Sequence, residues 1–290
     1  MDTFLRVGII GAGTMGSGIA QLVASAGKEV LLYDSDSAAL ERGIARIREV
    51  LQSLEERGKL AGPEARAILE RVLPQRSLDE LGAAEMILEA TIEDLQVKKN
   101  LMAEVAKFKR PQTILATNTS SLSVSAIAAA TPTPALVVGL HFFNPAPVMR
   151  LVEVVRGRAT SDTTINRAVA FCRELGKTTV VCADTPGFIV NRVARAFYGE
   201  AIRMLGEGLA PVEEIDRIMT LSGGFRMGPF ELMDFIGIDV SYAVTCSVYE
   251  QFFQEPRFRP HPLQRQMVEA GTLGRKTGRG FYAYDTEPQS

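Results

Sequence analysis

Two histidines occur in the 290-residue sequence, and one stands in Leu140-His141-Phe142-Phe143-Asn144-Pro145, directly after the apolar residues 135–140. A strand through Val137 and Val138 places His141 at its C-terminal end, where parallel α/β sheets bind ligands. An imidazole, with an ordinary pKa of ~6.5, takes and returns a proton near neutral pH, as a general base must. Farther along, Glu153 lies inside Leu151-Val152-Glu153-Val154-Val155, a β-branched run that reads as the next strand. A carboxylate there can accept from one ring nitrogen and leave the other to act on a substrate. The same residues are also compatible with a capped strand-end histidine and an edge glutamate facing water.

A second constellation opens the chain. Residues 4–10 read as a buried strand running into Gly11-Ala12-Gly13-Thr14-Met15-Gly16, then a helix with Ile19, Leu22 and Val23 at helical spacing. Gly27 stops that helix, and Glu29-Val-Leu-Leu-Tyr33 reads as a strand closing on Asp34. Strand, glycine turn, helix, strand and acid within about 30 residues form a dinucleotide-binding unit. Gly11 permits the tight turn, Gly13 lets the backbone approach a pyrophosphate, and Gly16 lets helix and strand pack closely. The helix N-terminus, with Thr14 and Met15 in the turn, offers unpaired N–H groups to phosphates. Asp34 can accept from the ribose hydroxyls and repels a 2′-phosphate. Tyr33-Asp34-Ser35 brings no adjacent arginine, so NAD is favoured over NADP.

The elements that must position these residues alternate up to about residue 184. Residues 36–72 form a helical hairpin inserted between strands, with Ile44, Ile47, Leu51 and Leu54 on one face, a break at Gly58 and a second helix from Pro63. Arg57 and Lys59 at its tip are candidates for meeting an anionic substrate. A strand at 85–90, a helix at 95–109 and a strand at 113–117 follow. The last ends in Asn118-Thr119-Ser120-Ser121, which either caps the next helix or aims polar groups at a ligand. A helix near 162–175 and a strand at 178–182 complete this part. The fold class expected is a Rossmann-type doubly wound sheet over residues 1–184, then an all-helical domain over 185–290. That domain's helices are expected at 188–205, 211–220, 229–236, 240–253 and 263–270. His261, between two prolines, reads as a surface loop residue, and the basic tail from Arg275 to Tyr282 as solvated charge.

Composition excludes several classes. A formal charge of −2 and pI of 5.9 give no basic footprint for nucleic acid or anionic membrane, and no apolar run reaches the ~18 residues of a membrane span. Three cysteines without CxxC spacing argue for a reducing compartment and against both disulfides and zinc. No targeting segment is expected ahead of residue 4, so the cytoplasm is the expected location. The apolar content of the helical domain predicts a homodimer formed through it.

The sequence resembles the L-3-hydroxyacyl-CoA dehydrogenase family, and within it the stand-alone 3-hydroxybutyryl-CoA dehydrogenases. The resemblance rests on residues 11–18, Asn118-Thr-Ser-Ser-Leu122, His141-Phe-Phe-Asn-Pro-Ala-Pro-Val-Met149 through Val155, and Asp184-Thr-Pro-Gly-Phe-Ile-Val-Asn-Arg192. Met227-Gly-Pro-Phe-Glu-Leu232, Asp234-Phe-Ile-Gly-Ile-Asp239 and Gly274-Arg-Lys-Thr-Gly-Arg-Gly-Phe-Tyr282 extend it through the helical domain. It implies that His141 removes the 3-hydroxyl proton of a 3-hydroxyacyl-CoA while hydride passes to NAD, with Glu153 orienting the imidazole. Ser120 and Asn191 would bind the reacting oxygen, and Asn144 would support the site. Glu93, Lys98 and Asn118 would lie on the cofactor side, and no metal is required. The similarity is loosest at the hairpin tip, so Arg57 and Lys59 remain only candidates for the coenzyme A moiety. Such a reaction serves fatty-acid and butanoate metabolism alike. Two alternatives stand beside it: a hydroxy-acid or sugar-acid dehydrogenase of the lambda-crystallin-like branch without a coenzyme A requirement, and a non-catalytic dinucleotide sensor.

Overall fold

Strand β1, Arg6–Ile10, has no charge after its first residue and is buried on both faces, as an interior strand of a parallel sheet must be. The glycine turn joins it to α1 (Thr14–Ser25), followed by β2 (Glu29–Tyr33), α2 (Ser37–Glu56), α3 (Gly62–Glu70) and β3 (Val72–Pro74). Then come β4 (Met86–Glu89), α4 (Leu95–Val105), β5 (Ile114–Thr117), α5 (Val124–Ala128), β6 (Val137–Phe142), β7 (Leu151–Arg156), α6 (Asp162–Glu174) and β8 (Thr178–Ala183). The computed structural model describes residues 4–284, so residues 1–3 and 285–290 of the two expected domains lie outside the described residues.

The strands form one sheet in the order β3-β2-β1-β4-β5-β6-β7-β8. All neighbours are parallel except β6 and β7. The order reverses between β1 and β4, which opens a crevice at the C-terminal ends of those strands. Strand alternation feeds two apolar layers. Ile9, Leu32, Leu88 and Leu140 pack with Ile19, Val23 and Phe171 on one face. Ile10, Leu31, Ile87 and Val137 pack with Met102, Val105 and Ile127 on the other. The doubly wound fold expected from the alternating pattern is what forms.

Several boundaries differ from expectation. β3 was not expected: it is a three-residue edge strand ending in Pro74, with too few residues to show a period. α4 stops at Val105, short of Lys109, and β6 runs through His141 to Phe142. The helix expected from Phe188 begins at Val190 because Phe188 takes a φ of 48°, a left-handed conformation no helix accommodates.

The chain divides into two compact units, Met1–Phe188 and Ile189–Ser290. The second unit contains α7 (Val190–Gly206), α8 (Val212–Leu221), α9 (Pro229–Ile236), α10 (Ile238–Gln251) and α11 (Pro262–Glu269). Its core joins Tyr198, Ile202, Ile215, Phe230 and Met233. Two buried aspartates organise it. Asp216 accepts from the amides of Phe230 and Glu231 at the start of α9 and from the Tyr282 hydroxyl. Asp234 accepts from the amides of Phe281 and Tyr282 and from the Tyr284 hydroxyl. The basic tail is therefore tied down, and its charges are not simply solvated: Arg275 pairs with Glu231 at 2.8 Å and Lys276 with Asp239 at 2.6 Å. His261 is likewise no free surface residue. It is half-buried at the N-cap of α11, where its Nδ1 accepts from the Leu263 amide at 3.2 Å. Among the described residues no single helix is long and apolar enough to cross a membrane.

Candidate active site

The glycine turn shows which of its positions serve the protein and which serve a ligand. A Cβ on Gly16 would collide with the carbonyl oxygen of Gly11, so Gly16 is fixed by helix–strand packing. Gly11 has a φ of 97° and would bring a Cβ within 2.6 Å of the Ala90 carbonyl. Gly13 differs: a Cβ there meets nothing within 4 Å. The space beside Gly13 lies at the N-cap of α1, where no side chain caps the helix. This is the cradle a diphosphate needs, open and faced by amide donors. Asp34 closes its far side. One carboxylate oxygen accepts from the Ala12 amide at 2.7 Å and the other from the Asp36 amide at 3.0 Å, so the acid is fixed to the turn it serves. Thr14 is exposed and Met15 half-buried at the mouth. These residues fit a dinucleotide.

Across the sheet, alternation sends His141 to the same face as Val137, opposite Leu140 and Phe142. β7 returns antiparallel, with Glu153 directly opposite His141 in the register. Their side chains meet: His141 Nδ1 lies 2.7 Å from Glu153 Oε2, with 8% and 1% of the side chains exposed. With Glu153 ionised, Nδ1 donates and Nε2 keeps its lone pair. The rings of Phe143 and Phe188 flank the imidazole at centroid distances of 4.4 and 5.8 Å. The Pro186-Gly187 turn and the left-handed backbone of Phe188 direct that second ring inward, where it is 2% exposed. Burial, together with the carboxylates of Glu153 and Asp184, pushes the neighbouring Cys182 thiol up to about 12.

Between these two parts lies the turn after β5. Glu93 Oε1 accepts from the hydroxyl of Thr119 at 2.7 Å, from the Ser120 amide and hydroxyl at 2.7 and 2.9 Å, and from the Ser121 amide at 3.1 Å. Its other oxygen faces Lys98 Nζ at 3.5 Å. Burial raises the Glu93 carboxyl, but the Lys98 charge and the bonds donated by Thr119 and Ser120 outweigh it and hold the group below its ordinary range. Lys98 is itself buried, with Nζ 2.6 Å from Glu89 Oε1; Glu89 also receives the hydroxyls of Thr91 and Thr117. Asn118 accepts from the Phe142 amide at 2.9 Å, tying the end of β5 to the end of β6 beside His141.

The chain matches the family model described as 3-hydroxyacyl-CoA dehydrogenase, NAD binding domain, over residues 6–185, and the 3-hydroxyacyl-CoA dehydrogenase, C-terminal domain, over residues 187–284. It belongs to the 3-hydroxyacyl-CoA dehydrogenase family. Members of this family are NAD-dependent oxidoreductases, and NAD is the cofactor of this chain. It is 49% identical over 284 residues to the 3-hydroxyadipyl-CoA dehydrogenase of Escherichia coli K12, covering 98% of this chain but 60% of that protein. A probable 3-hydroxybutyryl-CoA dehydrogenase of Deinococcus radiodurans is 42% identical over 281 residues, 97% of this chain and all of that protein. The crystal structure of (S)-3-hydroxybutyryl-CoA dehydrogenase from Ralstonia eutropha superposes with a TM-score of 0.93 at 42% identity, covering 98% of this chain and 100% of that one. The chain thus spans about 60% of the Escherichia coli relative's length.

Within the dehydrogenase family's NAD-binding unit the structure brings together His141 and Glu153, and separately Glu93, Lys98 and Ser120. Asn144 is exposed on the loop after β6, and Arg57 and Lys59 are exposed just after α2. Asn191 is the second residue of α7, in the helical unit. Lys98 is 1% exposed, and its ammonium is paired with Glu89 and faces Glu93. Glu89 escaped the sequence reading altogether. Ending a strand in Glu is unremarked in sequence, and only the fold shows that its carboxylate is fully buried.

Proposed function

We propose that this family member oxidises an (S)-3-hydroxyacyl-CoA to the 3-ketoacyl-CoA, and catalyses the reverse reduction, on short acyl chains of the 3-hydroxybutyryl class. The 2.7 Å contact between buried His141 and Glu153 carries the reading. Nε2 of His141 takes the proton of the 3-hydroxyl. Bound NAD supplies the hydride acceptor. The imidazolium that forms lies in a buried setting, where a charge without a partner is costly, and Glu153 is that partner. In the reverse direction the same Nε2–H returns the proton to the carbonyl oxygen. Ser120 donates its hydroxyl hydrogen to Glu93, so its oxygen offers lone pairs, not a proton, to a further partner. The family resemblance assigns Asn191 and Asn144 to the substrate and Asn118 and the glycine turn to NAD, and Arg57 and Lys59 are the candidates for coenzyme A.

The test is NADH consumption with acetoacetyl-CoA, longer 3-ketoacyl-CoAs, 3-oxoadipyl-CoA and free acetoacetate. The Escherichia coli relative's name motivates the oxoadipyl arm. Preference for acetoacetyl-CoA, abolished by His141→Ala with NADH affinity kept, is the expected result. Turnover of free acetoacetate at a similar rate would favour the hydroxy-acid branch, and NADH binding with no turnover of any thioester would favour a sensor. Three free cysteines suit a reducing compartment, and we place the enzyme in the cytoplasm. A homodimer through the helical unit is supported by Val193, Ile218 and Leu221, which are 65%, 61% and 77% exposed. Sedimentation of Leu221→Glu as a monomer beside a dimeric parent would bear this out.

A further inference from the structure

The region after β2 carries a second carboxylate that the glycine turn does not use. Asp34 is committed to the amides of Ala12 and Asp36. Asp36 caps α2, accepting from the Ala38 amide at 2.9 Å through one oxygen, and faces Arg42 Nη2 at 3.3 Å through the other. The helix it caps is seated on the cofactor turn. A Cβ on Gly43 would come within 2.5 Å of the Ala12 carbonyl oxygen, and Arg46 Nη1 donates to Ser17 Oγ of α1 at 3.1 Å. The first turns of α2 are therefore a wall beside the adenosine side of the cradle. Arginine is the side chain best suited to a phosphate monoester there. Arg46 is occupied by the hydroxyl on α1, whereas Arg42 is held by an acid.

We propose that Asp36 is a second determinant of NAD selectivity. It holds Arg42 away from service to a ribose 2′-phosphate and sets its own negative charge beside that of Asp34. An exposed pair of this kind is weak, so Asp36 alone is no lock. A 2′-phosphate would compete for Arg42 once the Asp34 charge were also gone. The two acids act together, and neither substitution alone opens the site to NADP. This inference rests on the reading that Asp34 holds the adenosine ribose.

The experiment titrates the full chain calorimetrically with adenosine 2′,5′-bisphosphate and with ADP, and fluorimetrically with NADH and NADPH. The proteins are the parent, Asp34→Ser, Asp36→Asn, the double variant, and the double variant with Arg42→Ala. Asparagine caps a helix as well as aspartate does, so Asp36→Asn removes the charge and keeps α2 anchored. The double variant should bind adenosine 2′,5′-bisphosphate about 10- to 100-fold more tightly than the parent, the size of a charge-assisted arginine–phosphate contact. The gain should exceed the product of the single-variant gains and fall with added salt, and the excess over that product should vanish with Arg42→Ala. A double variant that gains no more than Asp34→Ser, or an excess over the product that survives loss of Arg42, overturns the proposal. Unchanged NADH affinity in Asp34→Ser would instead show that the ribose does not sit at Asp34, and the proposal falls with that reading. Where Asp34→Ser does not fold, Asp34→Asn keeps an acceptor for the Ala12 amide and takes its place in the series.

Discussion

Replacing Glu153 by Gln changes one oxygen for an NH2 group at nearly constant volume, which makes it the sharpest probe of the proposed base. Both partners are almost wholly buried, so solvent screening is slight. A hydrogen bond to a charged group contributes about 1.5–3 kcal/mol. At roughly 1.4 kcal/mol per factor of ten, loss of the imidazolium's counter-charge alone slows the proton-transfer step by about 10- to 150-fold. The tautomer adds to this. A Gln NH2 turned toward Nδ1 donates to it, which moves the ring proton to Nε2 and leaves no lone pair for the substrate hydroxyl. The expected fall in kcat for oxidation of 3-hydroxybutyryl-CoA is therefore about 10²–10⁴-fold. NADH affinity, read by fluorescence titration, should stay close to that of the parent, because β7, which carries Glu153, lies four strands along the sheet from β1, which leads into the glycine turn. The assay is absorbance of NADH in both directions, with a thermal melt to confirm folding. A kcat within about tenfold of the parent would refute the dyad, since even the smallest term counted here exceeds that on the buried geometry. A parallel loss of NADH affinity would refute it differently, by showing that Glu153 holds the sheet together.

The glycine turn yields a paired prediction. Gly13→Ala should melt like the parent yet bind NADH much more weakly, because its Cβ enters space that no protein atom occupies. Gly16→Ala should instead melt earlier, because its Cβ strikes the Gly11 carbonyl; similar behaviour of the two would sink the distinction. Glu93 predicts a pH effect. Its folded carboxyl lies below the ordinary 4.5, so its stabilisation is complete above that value and is lost as pH falls through the lower folded one. The melting-temperature gap between parent and Glu93→Gln should then close as pH drops from about 6 to about 3, and a gap that widens would contradict it. Burial pushes the Cys172 thiol up to about 12, despite the opposing charge of Lys177. At pH 8 only about one thiol in 10⁴ is ionised, so iodoacetamide should label Cys172 only after unfolding, as peptide mass spectrometry would show.

The parts of the site that were legible in sequence are those whose cause is local. A buried strand, three glycines, an apolar helix stripe and Asp34 lie within one βαβ unit, so each constrains its neighbours. His141 and Glu153 were legible as residue types at strand positions, but their contact depends on register, which the family resemblance supplied and the local pattern did not. What stayed hidden depends on distant partners. Arg275 and Lys276 read as solvated charge because Glu231 and Asp239 lie 44 and 37 residues away. The Lys98–Glu89 pair was invisible because each residue is ordinary where it stands and becomes costly only when the fold takes both from water. Asp36 and Arg42 went unread because an arginine was sought next to Asp34, whereas a helix's second turn brings one back to the same place.

The one antiparallel pair in the sheet explains why the dyad can exist at all. In a parallel pair the chain must cross over through a dozen or more residues, and the next strand begins again at the far edge of the sheet. A residue opposite the end of β6 would then lie near the end of the following strand, after a helix. The short return from Phe142 to Leu151 reverses direction instead, so the beginning of β7 lies against the end of β6. Glu153, third in β7, is thereby set directly across from His141, next to last in β6. Directly opposed residues hold their Cβ atoms about 4.5–5.5 Å apart, a span that a glutamate and an imidazole can close with one hydrogen bond. β8 then pairs parallel to β7, so β7 is not an edge strand, and the Glu153 side chain is 1% exposed. A register slip of one residue would turn Glu153 to the opposite face and leave His141 facing Val152 or Val154. The chemistry at the crevice thus rests on a topological departure from the parallel sheet as much as on the two residue types.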